Sequence, residues 1–155
     1  MKIVVDCEFT QLNANSRLIS MALVAEDAQE LYFELSDNYQ VEDCSAFVIE
    51  HVIPQLDGGH AACTIASAQE KLQAFLTKFE FVQIMSDAPL WDWEFFCEIA
   101  YYKNKWPGNV SNRPVNLIDL YNETSIQVED APELPHHALL DARLLMHYYK
   151  KYLKA

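Results

Sequence analysis

Two carboxylates stand one residue apart at the end of an apolar run near the N-terminus, in the stretch "KIVVDCEFTQL". Alternate residues of a strand face the same side, so Asp6 and Glu8 should project together. Adjacent anions repel each other, and burying them without a partner costs free energy. A divalent cation such as Mg²⁺ or Mn²⁺ would remove that cost, because hard cations prefer oxygen ligands. The alternative is that the strand simply ends here and water solvates both acids.

Two further acids lie in apolar surroundings. Asp92 stands in "LWDWEFFCEIA", between two tryptophans. Asp141 stands in "HHALLDARLL", beside a helical stripe formed by Ala138, Ala142, Leu145 and Tyr149. An acid in such a position needs a partner. We therefore expect the four acids to converge on a pair of metal ions.

The elements that must position these acids can be predicted from the hydrophobic pattern. The runs "KIVVDCEF", "RLISMALVAE" and "ELYFEL" predict three strands, and their short connections predict an antiparallel meander. Strands are also predicted for "FVQIMS" and "VNLIDL". Helices are predicted for "CSAFVIEHVI", "SAQEKLQAFLTKF" with Ser67 and Glu70 as a capping box, "WDWEFFCEIAYYK" and "HHALLDARLLMHYYKKYL". This order predicts one α/β domain over residues 1–155, with a mixed sheet flanked by helices.

Composition limits the possible partners. The chain has 155 residues, with 11 basic and 23 acidic side chains and a net charge of −12. Such an acidic protein is poorly suited to coating long duplex nucleic acid. No run of 18 apolar residues predicts a membrane span, and the N-terminus does not resemble a signal peptide. With four widely spaced cysteines interpreted as free thiols, we expect a cytoplasmic protein that does not bind membranes.

Three stretches, taken in order, resemble the motifs of a known enzyme family. "VVDCEFTQL", "WDWEFF" and "HHALLDA" are similar to the three motifs of the DEDDh 3′–5′ exonucleases, which include oligoribonuclease, ribonuclease T and polymerase proofreading subunits. The last stretch matches the family pattern HxAxxDA at every fixed position. The resemblance implies a ribonuclease H-like fold whose first three strands form a meander, in agreement with the order above.

The resemblance also implies roles for particular residues. It places the metal-binding acids at Asp6, Glu8, Asp92 and Asp141, which would hold two Mg²⁺ or Mn²⁺ ions. Asp87, in "SDAP", is a rival to Asp92, but the apolar residues after Asp92 fit the family better.

The general base falls on one of two adjacent histidines. On an ideal helix His137 would share a face with Asp141. The family histidine stands five residues before the acid, which selects His136 and leaves His137 as a surface or capping residue. His136 would lie in the lead-in after Pro135, before the helix is regular.

Substrate contacts should come from the residues that follow the first motif. The family stretch DxExTGL holds the terminal nucleotide, and its leucine wedges between bases. Here Thr10 and Leu12 are kept, but Gln11 replaces the glycine, so the backbone can differ. Phe9 and Trp91 are further candidates for stacking on bases, as is Trp93, with the core as the alternative for each. Lys103, Lys105 and Arg113 are either phosphate contacts or solvated surface residues.

The predicted function is metal-dependent 3′–5′ exonucleolytic hydrolysis of single-stranded oligonucleotides to 5′-mononucleotides. The similarity to compact bacterial members favours RNA, with a DNA exonuclease of the repair or proofreading type as the alternative. A catalytically silent nucleic-acid-binding module is a less favoured interpretation, because the acids and the histidine are all present. Homodimerisation is an expectation from the family alone.

Overall fold

The first three strands form the centre of the sheet. A computed structural model describes residues 1–123 and 134–153. Strands β1 (Lys2–Phe9), β2 (Leu18–Ala25) and β3 (Glu30–Leu35) pair antiparallel in succession, so the predicted meander is confirmed. Strand β2 is buried along its whole length, as its nearly continuous apolar sequence requires.

Three short parallel additions complete a six-stranded mixed sheet. Strand β4 (Ala62–Cys63) joins the edge at β3, while β5 (Gln83–Ser86) pairs with β1 and β6 (Val115–Asn116) pairs with β5. The resulting order is β4-β3-β2-β1-β5-β6. The predicted fold class, a mixed sheet flanked by helices, is confirmed. Strand β4 was not predicted, since two residues carry too little periodicity to be recognised.

Five α-helices connect and cover the strands in the described part of the chain. They are α1 (Ala46–His51), α2 (Ile65–Leu76), α3 (Pro89–Ala100), α4 (Leu117–Glu123) and α5 (Ala138–Tyr148). Short 3₁₀ turns cover Val41–Asp43 and Ile53–Gln55, and α5 continues into a π-helical turn at Tyr149–Leu153. Among the residues that the structure describes, no helix combines the length and hydropathy that crossing a bilayer requires.

The two faces of β1 serve different purposes. Ile3, Val5 and Cys7 pack into the larger core, which also contains the buried apolar residues of α2 and α3. Val4 faces the second core, built with α4 and α5, where the predicted stripe of Ala138, Ala142, Leu145 and Tyr149 is buried. Because side chains alternate along a strand, Asp6 and Glu8 continue the row that begins with Val4. They therefore lie on the face that α5 covers.

Two local predictions were wrong. Helix α2 starts a turn earlier than the predicted capping box, because the Thr64 side chain accepts a hydrogen bond from the Ser67 amide at 3.3 Å. The stretch "VNLIDL" is a strand only over Val115–Asn116 and then becomes helix α4. Asn116 Oδ1 accepts a hydrogen bond from the Ile118 amide at 3.0 Å, which turns the chain into the helix. Leu117 and Tyr121 then pack into the second core.

Candidate active site

The four predicted metal-binding acids line one cavity of about 380 Å³. Asp6 and Glu8 come from the end of β1, Asp92 from the first turn of α3 and Asp141 from the first turn of α5. A register shift between Glu8 and Phe9 marks the point where β1 leaves regular pairing with β2. Such irregularities re-aim side chains at the end of a strand.

The acids form two groups of possible ligands. One atom from each of Glu8, His136 and Asp141 lies within 4.8 Å of the others, and Asp6, Asp87 and Asp92 form a second group with the same spacing. The rival acid Asp87 therefore joins Asp92 in the cavity and does not replace it. Residues predicted from three separate motifs are thus brought together by the fold.

Burial and mutual repulsion raise the pKa values of these carboxyl groups. Burial, followed by the charges of Asp92 and Glu8, raises the pKa of Asp6 well above its ordinary value. The pKa of Glu8 rises to about 8, that of Asp92 to about 7 and that of Asp141 to about 6, with burial the largest cause in each case. The cavity therefore disfavours its own ionised acids unless a cation is present.

The donor set fits divalent cations. Asp141 is 2% exposed, and its buried Oδ1 has no hydrogen-bond partner among the residues that the structure describes. A buried carboxylate oxygen that lacks a partner is costly, and a cation would supply one. The five carboxylates of the cavity supply the hard oxygen ligands that suit Mg²⁺ or Mn²⁺.

Asp92 is held in place by its neighbours. The hydroxyl of Ser86, at the end of β5, donates to Asp92 Oδ2, and this hydrogen bond lowers the pKa of Asp92 against the larger effect of burial. Ser86 Oγ also accepts from the Ala88 amide at 2.8 Å, which links the strand end to the start of α3. Sequence reasoning missed Ser86, because a serine at a strand end has no distinctive pattern.

The two adjacent histidines occupy different environments. His136 lines the cavity beside Asp141, and its backbone φ is 60°, a left-handed conformation that residues with side chains rarely adopt. His137 is the N-cap residue of α5, is 8% exposed and stacks on Tyr32 at 5.0 Å between ring centroids. His137 was predicted to be a surface or capping residue: it does occupy the cap position of α5, although its side chain makes no capping hydrogen bond and is buried against Tyr32 of β3. His136 does lie before the regular helix, where face arguments based on spacing do not apply.

An apolar wall faces the acids. Phe9, Leu12 and Phe47 line the cavity, and Leu12 is 74% exposed. Phe9 stacks on Trp91 with ring centroids 5.3 Å apart and planes 15° apart. Trp91 itself lines a neighbouring cavity, so it backs Phe9 and does not face the acids. Trp93 packs against Phe96 and Trp106, which is the core alternative that its sequence context left open.

Other predicted substrate residues lie elsewhere. Thr10 is fully buried, and its Oγ1 accepts from the Arg17 amide at 3.0 Å. The Thr10 amide donates to the Arg17 carbonyl at 2.9 Å, so Thr10 shapes the β1–β2 turn and does not line the cavity. Lys103 and Lys105 border a separate cavity with Trp106. Arg113 is exposed and does not line the acid cavity either.

Besides Ser86, two contributors to the site were absent from the sequence prediction. Phe47, on α1, lies edge-on to His136 with ring centroids 4.9 Å apart. Gln55 contacts the backbone just before and at His136. Both come from a segment whose pattern predicts only a short helix and a loop, so no local signal marks them.

A mixed sheet that brings Asp6, Glu8, Asp92, Asp141 and His136 into one cavity agrees with the sequence resemblance to DEDDh exonucleases, and comparison with known proteins supports that resemblance. No family model matches the chain. The 3′–5′ exoribonucleases of two Mycobacterium tuberculosis strains are 25% identical to it over 150 residues, which cover 92% of this chain and 88% of each relative.

Solved structures share the fold. The nuclease domain of 3′hExo, a DEDDh family member bound to rAMP, superimposes with a TM-score of 0.64 at 17% identity, over 97% of this chain and 92% of that domain. A full-length 3′-exonuclease superimposes with a TM-score of 0.61 at 16% identity, over 99% and 81% of the two chains. The resemblance to DEDDh exonucleases predicted from the sequence is confirmed by these findings.

Proposed function

We propose that this protein is a divalent-metal-dependent 3′–5′ exonuclease, with residues 1–155 acting as a single domain. The observation that carries the proposal is the meeting of Asp6, Glu8, Asp92, Asp141 and His136 in one cavity. These residues come from the three ordered motifs that resemble the DEDDh family. Similarity to exoribonucleases along nearly the whole chain supports the same reaction class.

We propose single-stranded RNA as the preferred substrate. The bacterial relatives are named as exoribonucleases, and one structural neighbour is bound to rAMP. A net charge of −12 favours short oligonucleotides over long duplexes, which need an extended basic surface. DNA of the same length is the alternative substrate, and contacts to the 2′-hydroxyl would distinguish the two.

Asp6, Glu8, Asp92 and Asp141 would hold two Mg²⁺ or Mn²⁺ ions, with Asp87 as an additional carboxylate beside Asp92. When bound, such ions would lower the pKa of water and neutralise charge on the scissile phosphate. The carboxylates of this chain lie where β1 ends and where α3 and α5 begin, so the packing of these elements fixes their relative positions. Ser86 fixes the orientation of Asp92, and the first turn of α5 fixes that of Asp141.

His136 acts as the general base in this mechanism. It accepts a proton from the attacking water, whose oxygen forms a bond to phosphorus while the bond to the 3′ oxygen of the preceding nucleotide breaks. The departing 3′ oxygen takes a proton from solvent water and His136 returns its proton to solvent, so the products are a 5′-mononucleotide and a strand with a new 3′-hydroxyl. The position of His136 beside Glu8 and Asp141 supports this role, because the base must lie next to the reacting phosphate.

The apolar wall would hold the terminal bases. Leu12 and Phe9 line the cavity, and Trp91 stacks on Phe9. Apolar and aromatic faces bind bases without reading sequence, as an exonuclease requires. We also propose that the protein acts in the cytoplasm, where its four free cysteines would stay reduced, and that it forms a homodimer.

The test uses short RNA and DNA oligomers of matched sequence, labelled at either the 3′ or the 5′ end. With Mg²⁺ or Mn²⁺, the 3′ label should appear first as a mononucleotide, while the 5′ label should remain on progressively shorter strands. A chelator should abolish both patterns. RNA should be hydrolysed faster than DNA.

Different results would support the rival functions. Faster hydrolysis of DNA would indicate a DNA exonuclease on the same site. Binding of oligomers without release of mononucleotides in either metal would indicate a catalytically silent module. Release that survives the Asp6→Asn substitution would contradict the proposed site, and the Glu80→Gln variant, which changes an exposed acid, is the matched control.

A further inference from the structure

The backbone of His136 needs an external restraint. Its φ of 60° lies in the left-handed region, and His136 is not followed by a regular turn of helix until Ala138. Residues other than glycine occupy this region only where the surroundings hold them there. The groups around His136 should therefore include contacts that maintain this conformation.

Gln55 supplies such contacts. This half-buried residue ends the 3₁₀ turn Ile53–Gln55, and its side-chain Nε2 donates to the carbonyl of Pro135 at 2.6 Å. The same nitrogen lies 3.4 Å from the carbonyl of His136 and also donates to the carbonyl of His51. A primary amide has two N–H groups, so one side chain can join the end of α1 to the lead-in of α5.

The segment that carries Gln55 is itself anchored to the sheet. Glu34, buried on β3, accepts hydrogen bonds from the amides of Asp57 at 2.6 Å and Gly58 at 2.9 Å. The Tyr32 hydroxyl donates to the same carboxylate at 2.7 Å, and the Tyr32 ring stacks on His137. Asp57 Oδ1 also lies 3.7 Å from His137 Nε2. The segment that follows Gln55 and the residue that follows His136 therefore both contact strand β3.

We propose that Gln55 is a positioning residue that holds His136 in its left-handed conformation and so aims the imidazole into the cavity. The inference rests on the proposed role of His136 as general base. Gln55 does not line the cavity and acts only through the backbone of residues 135–136. Because proton transfer needs hydrogen-bond distance to the attacking water, a small displacement of His136 should slow the reaction.

The kinetic test compares Gln55→Met with Gln73→Met. Methionine keeps the length of glutamine but removes its N–H donors, and Gln73 makes a bond of the same type to the Ala100 carbonyl at 2.9 Å, away from the cavity. We expect Gln55→Met to lower kcat for oligonucleotide hydrolysis by about tenfold, since small misplacements of catalytic groups cost rate. KM should change less than kcat, and Gln73→Met should match the parent in both constants.

A second measurement needs no metal and no turnover. Imidazole NMR signals of the protein in EDTA are assigned by comparison with His136→Ala. In Gln55→Met the His136 signal should shift or broaden, whereas in Gln73→Met it should stay in place. Equal kcat values for the two variants, or an unchanged His136 signal in Gln55→Met, would overturn the proposal.

Further variants keep the test decisive. If Gln55→Met unfolds at the assay temperature, Gln55→Lys, which retains N–H donors, is compared with Gln55→Glu, which can only accept. The proposal requires the higher kcat in the lysine variant, and a kcat that is equal or lower would overturn it. If the parent protein is inactive or His136→Ala keeps full activity, the proposed function fails. Failure confined to the Gln55 comparison leaves that function intact.

Discussion

Asp6 on β1 and Asp92 on α3 present carboxylate oxygens within 4.8 Å of each other, in a group that also includes Asp87. Both Asp6 and Asp92 are buried, and within residues 1–123 and 134–153 no lysine or arginine lines their cavity. Like charges this close and this far from water destabilise the ionised protein. A divalent cation bound among these carboxylates would offset their repulsion, so the same arrangement favours cation binding.

Replacing Asp6 by asparagine should separate activity from stability. We expect kcat to fall roughly a thousandfold, since several kcal/mol of charge stabilisation corresponds to a factor of that size. The Tm of the metal-free protein should rise, by about 2–4 °C for each kcal/mol of repulsion removed. Thermal unfolding in EDTA and hydrolysis in Mg²⁺ measure the two effects. Glu80→Gln, at an exposed acid, should change neither.

The stability of the metal-free protein should fall as the pH rises from about 4 to about 8. The pKa values of Asp141, Asp92 and Glu8 in the folded protein are about 6, 7 and 8, above the ordinary values of 3.8, 3.8 and 4.5. The folded state therefore binds more protons than the unfolded state in this range, and each deprotonation weakens folding.

Metal ions should reverse this dependence. Because carboxylates bind cations only when deprotonated, stabilisation by Mn²⁺ should grow with pH over the same interval. Tm values measured from about pH 5 to about pH 8.5, in EDTA and in Mn²⁺, give the two curves. A metal-free Tm that increased steadily with pH would contradict the burial of these acids.

His136→Ala should lower kcat by about 10²–10⁴, the usual contribution of a general base, with little change in KM. The four acids remain, so Mn²⁺ should still raise the Tm of this variant. Steady-state kinetics on a 3′-labelled oligomer and thermal unfolding test both statements. His147→Ala, at an exposed histidine on α5, provides the control and should retain parent activity.

Glu34→Gln should cost about 2–3 kcal/mol in the free energy of unfolding, since hydrogen bonds to a buried charged group are lost or weakened. The carboxylate accepts from Tyr32, Asp57 and Gly58, and the residue is buried. Glu30→Gln on the same strand removes the exposed ion pair with Arg143 and should cost less than about 1 kcal/mol. Urea unfolding in EDTA ranks the two, and equal costs would show that Glu34 does not anchor the loop.

Leu12→Ala should raise KM for short oligonucleotides by roughly tenfold, the equivalent of about 1.4 kcal/mol of lost contact. Leu12 lines the cavity although it is largely exposed, whereas the more exposed Leu90 borders only the neighbouring cavity. Leu90→Ala is therefore the matched control and should leave KM unchanged. A similar rise in both variants would place substrate contacts along the outer surface instead.

Local patterns predicted the elements that are long enough for the strand or helix period to be recognised. The meander and helices α2, α3 and α5 follow from apolar residues repeating at the strand or helix period. The same patterns failed at residues 115–120, where β-branched and aliphatic residues suit either a strand or a buried helix. There the cap at Asn116 and the packing of Leu117 decided the outcome.

For the site, the sequence by itself determined that Asp6 and Glu8 share a face, and the motif order indicated which distant acids and which histidine to consider. Only the tertiary structure decided that Asp87 joins Asp92, that Trp91 supports Phe9 from behind, and that Gln55 reaches the backbone at His136. The physical reason is the distance along the chain over which each kind of contact acts. The direction of a side chain along a strand or helix depends on its neighbours in the chain, whereas contacts between distant segments depend on how the whole sheet and its helices pack.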